Sequence, residues 1–148
     1  MVVTAPLGND PHVDRLRILI VDDDEAYAEA LMTLFGGDER LDAVGVATDG
    51  AQAVRLAGEL KPDIVLMDVG LPVLDGIEAT RQIREADPSI RVIVMTSASA
   101  GDLPEGAREA GATAFLTKDQ DYPQLLEATF AVATLAIALS SNGPTPRS

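Results

Sequence analysis

Hydrophobic and polar positions follow two alternating patterns along the chain. Short apolar runs rich in branched residues predict buried β-strands, and the segments between them carry apolar residues at helical spacing and end before Gly or Pro. The predicted strands are Leu16–Val21, Ala43–Ala47, Asp63–Met67, Arg91–Met95 and Ala114–Thr117. The predicted helices are Glu25–Phe35, Gly50–Leu60, Ile77–Ala86, Asp102–Ala110 and Tyr122–Leu139.

Five strands that alternate with five helices predict an α/β fold, in which helices cover both faces of a parallel sheet and the crossovers are right-handed. The fourth helix is the weakest of these elements because Pro104 and Gly106 lower its helix propensity. We expect one domain over residues 16–139. A flexible leader at 1–15 and a flexible tail at 140–148 are expected because both ends are polar and contain Pro and Gly.

The charge balance narrows the range of partners. The 148 residues include 11 basic and 24 acidic side chains, a net charge of -13. This charge would repel nucleic-acid phosphates and anionic lipids, so we expect no direct nucleic-acid partner and no membrane association. The absence of cysteine excludes disulfides and thiolate chemistry. The leader has no signal-peptide pattern, which together with the lack of cysteine favours a cytoplasmic location.

Candidate chemistry lies at the ends of the predicted strands, because open parallel sheets bind ligands beyond the carboxyl ends of their strands. Each residue type found there is common in caps, at strand ends or on surfaces, but their joint occurrence at four strand ends predicts a site. These residues are Asp22, Asp23 and Asp24 after the first strand, Asp68 after the third, Thr96 after the fourth and Lys118 after the fifth.

The same residues indicate which chemistry the site performs. Several carboxylates in one cleft repel one another, so at least one pKa would rise unless a cation is bound. Oxygen ligands without His or Cys favour Mg²⁺, with Mn²⁺ as the alternative. A carboxylate nucleophile beside a metal, a Lys and a Thr indicates phosphoryl transfer, in which positioning and charge neutralisation do most of the work.

Four motifs resemble those of response-regulator receiver domains, the phospho-acceptor domains of two-component signalling. They are ILIVDDDEAYAEAL, DIVLMDVGLPVLDGIEATRQIR, VIVMTS and GATAFLTKD, and the resemblance covers Leu16 to Leu139. Asp119 follows Lys118 where many receivers carry Pro, which is similar to the NarL/LuxR-type branch. The resemblance implies a flavodoxin-like (βα)5 three-layer sandwich, with a parallel five-stranded sheet in the order 2-1-3-4-5.

The resemblance also implies a role for each matching residue. Asp68 is the expected phosphorylation site. Thr96 and Lys118 are expected to contact phosphoryl oxygens. The expected Mg²⁺ ligands are Asp23, Asp22 (directly or through water), Asp68 and the backbone carbonyl of Gly70.

Structural roles are expected for other residues of the motifs. Asp24 is a weaker candidate ligand and is expected to cap the first helix. Pro72, Asp75 and Gly76 are expected to shape the loop that follows the phosphorylation site. Gly76 is expected to supply a turn conformation there.

Two further features concern switching and hydrolysis. Phe115 lies where the family carries an aromatic that moves with Thr96, and a core aromatic on the last strand is an equal alternative. Phe has no hydroxyl group, so any switch would work through packing alone. Gly70 and Ala98, each two residues beyond Asp68 or Thr96, are small and non-acidic. They predict a weakly shielded acyl phosphate with no carboxylate that orients water.

The last predicted helix has no charged residue from Ala128 to Leu139. This uncharged stretch is too short to span a bilayer. We expect the helix to be a contact surface for a homodimer or another protein, with an Ala-rich helix that tolerates exposed methyl groups as the alternative. The expected upstream partner is a sensor histidine kinase or a phosphotransfer protein, with switching of the surface formed by helix four, strand five and helix five. No output domain fits after Leu139, so we expect a stand-alone receiver or a segment cut from a longer protein.

Three alternatives were weighed against a phospho-switch. A receiver-like interaction module that takes no phosphate is disfavoured by the intact set of motif residues. A haloacid-dehalogenase-type phosphohydrolase would require a DxD pattern and a cap insertion, so no enzymatic activity is expected. A flavodoxin-like electron carrier would require a phosphate-binding loop where Asp22, Asp23 and Asp24 stand.

Overall fold

The computed structural model describes residues 15–71, 73–96, 106–119 and 121–141, so most of the predicted leader and tail lie outside the described residues. The strands are β1 (Leu16–Val21), β2 (Leu41–Ala47), β3 (Ile64–Asp68), β4 (Arg91–Thr96) and β5 (Ala114–Thr117). The helices are α1 (Glu25–Gly36), α2 (Gly50–Leu60), α3 (Gly76–Ala86), α4 (Ala107–Ala110) and α5 (Tyr122–Ser141).

All five strands pair in parallel in one sheet with the order β2-β1-β3-β4-β5. The first strand, β1, lies in the interior of the sheet. The second strand lies on one side of β1, at the sheet edge, and the third lies on the other side. The direction of winding therefore reverses between β1 and β3, where doubly wound sheets open a crevice for ligands. The predicted fold class and strand order are confirmed.

The residues of β1 show why its apolar run is continuous. Leu19 and Val21 belong to the core cluster that packs under α2 and α3. Ile18 and Ile20 belong to the opposite cluster, which packs under α1 and α5. Since successive side chains of a strand point to opposite faces, and all four of these are fully buried, both faces of the strand are apolar from Ile18 to Val21.

Several element bounds differ from the predictions by one or two residues. β2 begins at Leu41 rather than Ala43, because Leu41 is fully buried and pairs with β1. β3 is displaced by one residue, so that Asp68 is its last residue. Asp63 lies before the strand instead and accepts a hydrogen bond from the backbone N–H of Arg17 (2.9 Å). α5 continues into residues 140–141 of the predicted tail.

Helix α4 is a single turn between two glycines. It is shorter than the predicted helix, whose residues 102–105 lie outside the described residues. Gly106 and Gly111 flank it with φ angles of 83° and 106°, which are left-handed values that residues with a Cβ rarely adopt. Ala107 and Ala110 are buried. The helix therefore packs against the rest of the domain through two small apolar side chains.

Helix α5 packs with one narrow stripe against the sheet. Leu125, Thr129 and Ala133 are fully buried, and their spacing of four residues places them on one face. Leu135 lies outside this stripe and is 61% exposed. Among the described residues, no helix combines the length and the hydropathy required for a membrane span.

Candidate functional site

The strand register brings two predicted site residues side by side. β1 and β3 pair in register up to Val21 and Met67. Asp22 directly follows Val21, and Asp68 directly follows Met67. Asp22 is fully buried and Asp68 is 7% exposed. Two carboxylates therefore lie next to each other at the topological switch point, where a bound ligand is expected.

A third carboxylate completes an acidic cluster. Asp22, Asp23 and Asp68 each offer an oxygen, and these oxygens lie within 4.8 Å of one another. Asp23 is exposed, unlike the other two. The set has the donor chemistry that Mg²⁺ or Mn²⁺ prefers, with two oxygens held by the core and one that faces solvent. The structure thus brings together the three predicted carboxylate ligands.

Lys118 supplies the positive charge of the cluster. Its Nζ lies 2.5 Å from Asp22 Oδ2 and 3.4 Å from Asp68 Oδ1. The backbone N–H of Lys118 donates to the carbonyl oxygen of Thr96 (2.9 Å), which fixes the turn after β5 beside the end of β4. The predicted lysine is therefore in contact with the predicted phosphorylation site.

The surroundings of Asp68 disfavour the charged form of its carboxyl group. Burial raises the pKa of Asp68; the nearby charge of Lys118 opposes the rise and that of Asp22 adds to it, with the net result upward. Burial lowers the pKa of Lys118, but its hydrogen bond to Asp22 and the charge of Asp68 outweigh this and raise it. An additional cation at the carboxylates would relieve the repulsion between them.

Asp22 and Asp24 link the cluster to helix α1. Asp22 Oδ1 accepts the backbone N–H of Asp24 at 2.9 Å. Asp24 Oδ1 in turn accepts the N–H groups of Ala26 (3.1 Å) and Tyr27 (3.2 Å) as the N-cap of the helix. The expected capping role of Asp24 is confirmed, and its carboxylate is directed at the helix rather than into the cluster.

Gly76 has a different structural role from the predicted one. The expectation of a turn conformation was wrong, because Gly76 is the first residue of α3 and its φ is not positive. A Cβ at this position would overlap the carbonyl oxygen of Asp68 and lie 2.8 Å from Val69 Cα. Glycine is therefore required for the close approach of α3 to Asp68. Asp75 caps α3, and Pro72 lies outside the described residues.

Thr96 and Phe115 lie on the neighbouring strands β4 and β5. Thr96 is the buried last residue of β4 and pairs with Thr117. Phe115 is half-buried and packs against the core cluster under α2 and α3. The guanidinium of Arg108, from α4, lies 5.4 Å from the centre of its ring. Phe115 thus joins the core to α4, while its switching role stays a prediction.

Gly70 and Ala98 are the two positions expected to control hydrolysis. Gly70 is exposed, and its N–H donates to Asp68 Oδ1 at 3.4 Å. A Cβ on Gly70 would meet no atom of the described residues within 4 Å, which agrees with an open approach on this side. The metal-binding role of its carbonyl stays a prediction, and Ala98 lies outside the described residues.

Sequence reasoning missed Tyr27, which lies in the first turn of α1. Lys118 Nζ is 4.7 Å from the centre of its ring, and the ring of Tyr122 is 6.0 Å away. Burial, the charge of Asp22, the Tyr122 phenol and the charge of Asp68 raise the pKa of Tyr27 to about 12. Its place four residues after Asp23 could have indicated proximity to the site, but no spacing rule predicts contact with a lysine on another element.

Comparisons with known proteins agree with this geometry. A family model described as the response regulator receiver domain matches residues 18–130. The response regulator GacA of Pseudomonas aeruginosa is 35% identical over 113 residues, which cover 76% of this chain and 53% of GacA. The chain spans about half the length of the curated relatives it matches.

Solved structures give the same result. A two-component response regulator of the LuxR family from Aurantimonas sp. SI85-9A1 is similar at a TM-score of 0.74 and 37% identity, with 81% of this chain and 86% of that chain covered. A chain of the CheX-CheY-BeF3-Mg complex of Borrelia burgdorferi is similar at a TM-score of 0.71 and 29% identity, with 79% and 88% covered.

The fold and the site define an α/β domain with an acidic cluster and a lysine at its topological switch point. The chain belongs to the response regulator receiver family. Its relatives are of the LuxR/NarL type, so the predicted branch is also confirmed.

Proposed function

We propose that Asp68 accepts a phosphoryl group from a phosphohistidine of a sensor kinase or phosphotransfer protein, and that this modification switches the domain. One observation carries the proposal. The buried carboxylate of Asp68 lies at the end of β3 between two further carboxylates and the ammonium group of Lys118. A nucleophile, a cation site and a fixed positive charge are the components that phosphoryl transfer requires.

The acidic cluster is a suitable site for Mg²⁺. Asp22, Asp23 and Asp68 supply hard oxygen donors within 4.8 Å of one another, and the carbonyl of Gly70 is proposed as a further ligand. When bound, the ion neutralises charge on the carboxylates and on the transferred group. The Borrelia burgdorferi complex, whose title includes BeF3 and Mg, supports this assignment by similarity.

The residues of the chain itself would perform the following steps. A carboxylate oxygen of Asp68 attacks the phosphorus atom, an oxygen–phosphorus bond forms and the bond from phosphorus to the histidine nitrogen breaks. Lys118, whose Nζ already lies 3.4 Å from Asp68 Oδ1, pairs with a phosphoryl oxygen. Thr96, at the end of the adjacent strand β4, donates a hydrogen bond from its hydroxyl group to another phosphoryl oxygen.

The signal would leave the domain through α4, β5 and α5. Thr96 and Phe115 form the proposed switch, and Phe115 already contacts Arg108 of α4. The exposed apolar residues Tyr122 (43%) and Leu135 (61%) on α5 provide a surface for a partner or a second copy. We place this signalling in the cytoplasm, where sensor kinases present their phosphohistidine.

The decisive experiment is phosphorylation by acetyl phosphate, measured by intact mass. We expect one added phosphoryl group with Mg²⁺, none with EDTA and none in Asp68→Asn. Asp63→Asn is the matched control, since Asp63 lies at the other end of β3, and it should be phosphorylated like the wild type. If the wild type forms no adduct with acetyl phosphate or beryllofluoride, the chain is instead a phosphorylation-independent interaction module.

Light scattering after size exclusion tests the proposed dimer surface. Dimers of the phosphorylated protein should dissociate in Leu135→Glu. Val73→Glu, a change at an exposed apolar residue away from α5, should leave them intact. Monomers of the wild type at all concentrations, with and without phosphorylation, would contradict a homodimer.

A further inference from the structure

Tyr27 forms a contact that its position in α1 alone would not reveal. Its backbone N–H is held by the N-cap residue Asp24, so the first turn of the helix has a fixed conformation. From this turn the ring reaches Lys118, whose Nζ lies 4.7 Å from the ring centre. This distance is within the range of a cation–π interaction.

The face of the ring, rather than its hydroxyl group, makes the contact. The hydroxyl oxygen of Tyr27 is buried and has no hydrogen-bond partner among the described residues. The ring therefore interacts with Lys118 through its π-electrons and its bulk. The ring of Tyr122 lies 6.0 Å from that of Tyr27. The two rings, Lys118 and Asp121 line an open groove of about 340 Å³.

The contact with Tyr27 differs in kind from the other contacts of the Lys118 ammonium group. Asp22 and Asp68 also hold Nζ, at 2.5 and 3.4 Å. Both carboxylates belong to the cluster that suits Mg²⁺, so a bound ion would compete with the lysine for them. The aromatic face is not a metal ligand and stays available to the ammonium group in either state.

We propose that Tyr27 is a positioning residue, which holds the Lys118 ammonium group beside Asp68 so that it can pair with the phosphoryl group. This inference rests on the proposed function. It predicts that the ring of Tyr27 contributes to the affinity of the site for a phosphoryl group. It also predicts that Phe can replace Tyr27, whereas Leu, which is apolar but smaller and has no π-electrons, cannot.

Amine labelling tests the positioning without metal or phosphate. The chain has two lysines, Lys61 and Lys118, and the exposed Lys61 provides an internal reference in the same molecule. Acetylation by an N-hydroxysuccinimide ester, followed by peptide mass spectrometry, should show Lys118 labelled roughly two- to fivefold faster relative to Lys61 in Tyr27→Leu. Tyr27→Phe should retain the ratio of the wild type.

Beryllofluoride binding in excess Mg²⁺ provides the second measurement. Its affinity by calorimetry should fall about two- to fivefold in Tyr27→Leu and be retained in Tyr27→Phe. Mg²⁺ affinity measured alone should not fall, because the oxygens of the cluster belong to Asp22, Asp23 and Asp68 and Tyr27 supplies none of them. Tyr122→Leu is the matched control, since it opens the same groove without removing the ring over Lys118. Thermal melting confirms that each variant is folded.

Either of two results would overturn the inference. Tyr27→Leu could match the wild type in labelling and affinity, which shows that the ring contributes nothing. Alternatively, Tyr27→Phe or Tyr122→Leu could change as much as Tyr27→Leu, which assigns the effect to the hydroxyl group or to the open groove. Failure of the proposed function has a distinct signature: the wild type takes up no phosphoryl group or beryllofluoride, while the labelling ratio still reports on Tyr27.

Discussion

The two ends of the parallel sheet use the same residue types in opposite ways. At the amino end, Asp63 accepts the N–H of Arg17 at 2.9 Å, and the Arg17 guanidinium donates to the carbonyl of Lys61 at 2.8 Å. These charges are half-exposed or fully exposed and bond to backbone groups. At the carboxyl end, Asp22 and Asp68 are buried together beside Lys118.

The difference shows that residue type alone does not indicate a site. An aspartate with backbone partners stabilises a loop, whereas buried aspartates beside one another repel and remain tolerable only with a cation. Burial raises the pKa of Asp68 because the folded protein disfavours its charge. Local instability of this kind is common at functional sites, and the following predictions test whether it is confined to one end of the sheet.

Loss of Lys118 should have the largest effect on stability. Lys118→Met leaves the fully buried Asp22 without its cation, and this should cost about 3 kcal/mol of unfolding free energy in EDTA. Asp63→Ala at the amino end should cost only about 1 kcal/mol, as for one ordinary hydrogen bond. Urea unfolding measures both, and equal losses would show that the two ends do not differ.

Metal binding should stabilise the carboxyl end specifically. Mg²⁺ at a hundred times its Kd should add about 2.7 kcal/mol of unfolding free energy, seen as a higher Tm that EDTA reverses. Asp23→Asn should abolish most of this increase by removing one oxygen of the cluster. An unchanged increase in Asp23→Asn, or an equal loss in Asp63→Asn, would place the metal elsewhere.

A methyl group at Gly76 should disturb the site through the backbone. Gly76→Ala places a Cβ against the carbonyl of Asp68, and we expect a loss of about 2 kcal/mol by overpacking together with slower phosphorylation. Gly58→Ala in α2 is the matched control, since within the described part of the chain its Cβ would meet no atom within 4 Å. That variant should be as stable as the wild type or up to about 1 kcal/mol more stable. Chemical denaturation compares the two.

The smallest effect should be a stabilisation that is confined to the carboxyl end. Asp68→Asn should stabilise the protein by about 1 kcal/mol at neutral pH, whereas Asp63→Asn should not. Because burial raises the pKa of Asp68, the folded state binds its proton more readily than the unfolded state. The contribution of Asp68 to stability is therefore fully present below the ordinary carboxyl pKa and is lost as pH rises through the raised value.

Melting curves in EDTA across this pH range measure the predicted trend. The advantage of Asp68→Asn over the wild type should be smallest at acid pH and grow towards neutral pH. A gap that is constant with pH would assign the stabilisation to packing rather than to charge.

The sequence predicts the fold and the cluster for a physical reason. Asp22, Asp68, Thr96 and Lys118 follow or end strands, and in a parallel sheet all strands end at one edge, so topology alone brings these residues together. The features that the sequence does not predict depend on how closely helices and strands pack against one another. The need for Gly76 arises from how closely α3 approaches Asp68, and no periodicity in the sequence encodes that separation.

Tyr27 shows the same limit. The helical pattern predicts α1, and the N-cap at Asp24 fixes where it begins. The ring of Tyr27 meets Lys118, which lies on a turn 91 positions later in the chain. This contact depends on how the helix packs on the sheet. Such contacts between distant segments are a property of packing. Bounds such as the start of β2 at Leu41 were missed for a related reason, because pairing with β1 extends a strand beyond its apolar run.

The single turn of α4 has a consequence for the timescales of local opening. A helix of four residues cannot be stable without its neighbours, and its contribution to the core is limited to Ala107 and Ala110. Its amide protons should therefore exchange with solvent through local openings of low free energy. Those of β1 and β3, in the centre of the sheet, should exchange only on global unfolding. Hydrogen exchange can therefore report the local opening of α4 and the global unfolding of β1 and β3 in one experiment.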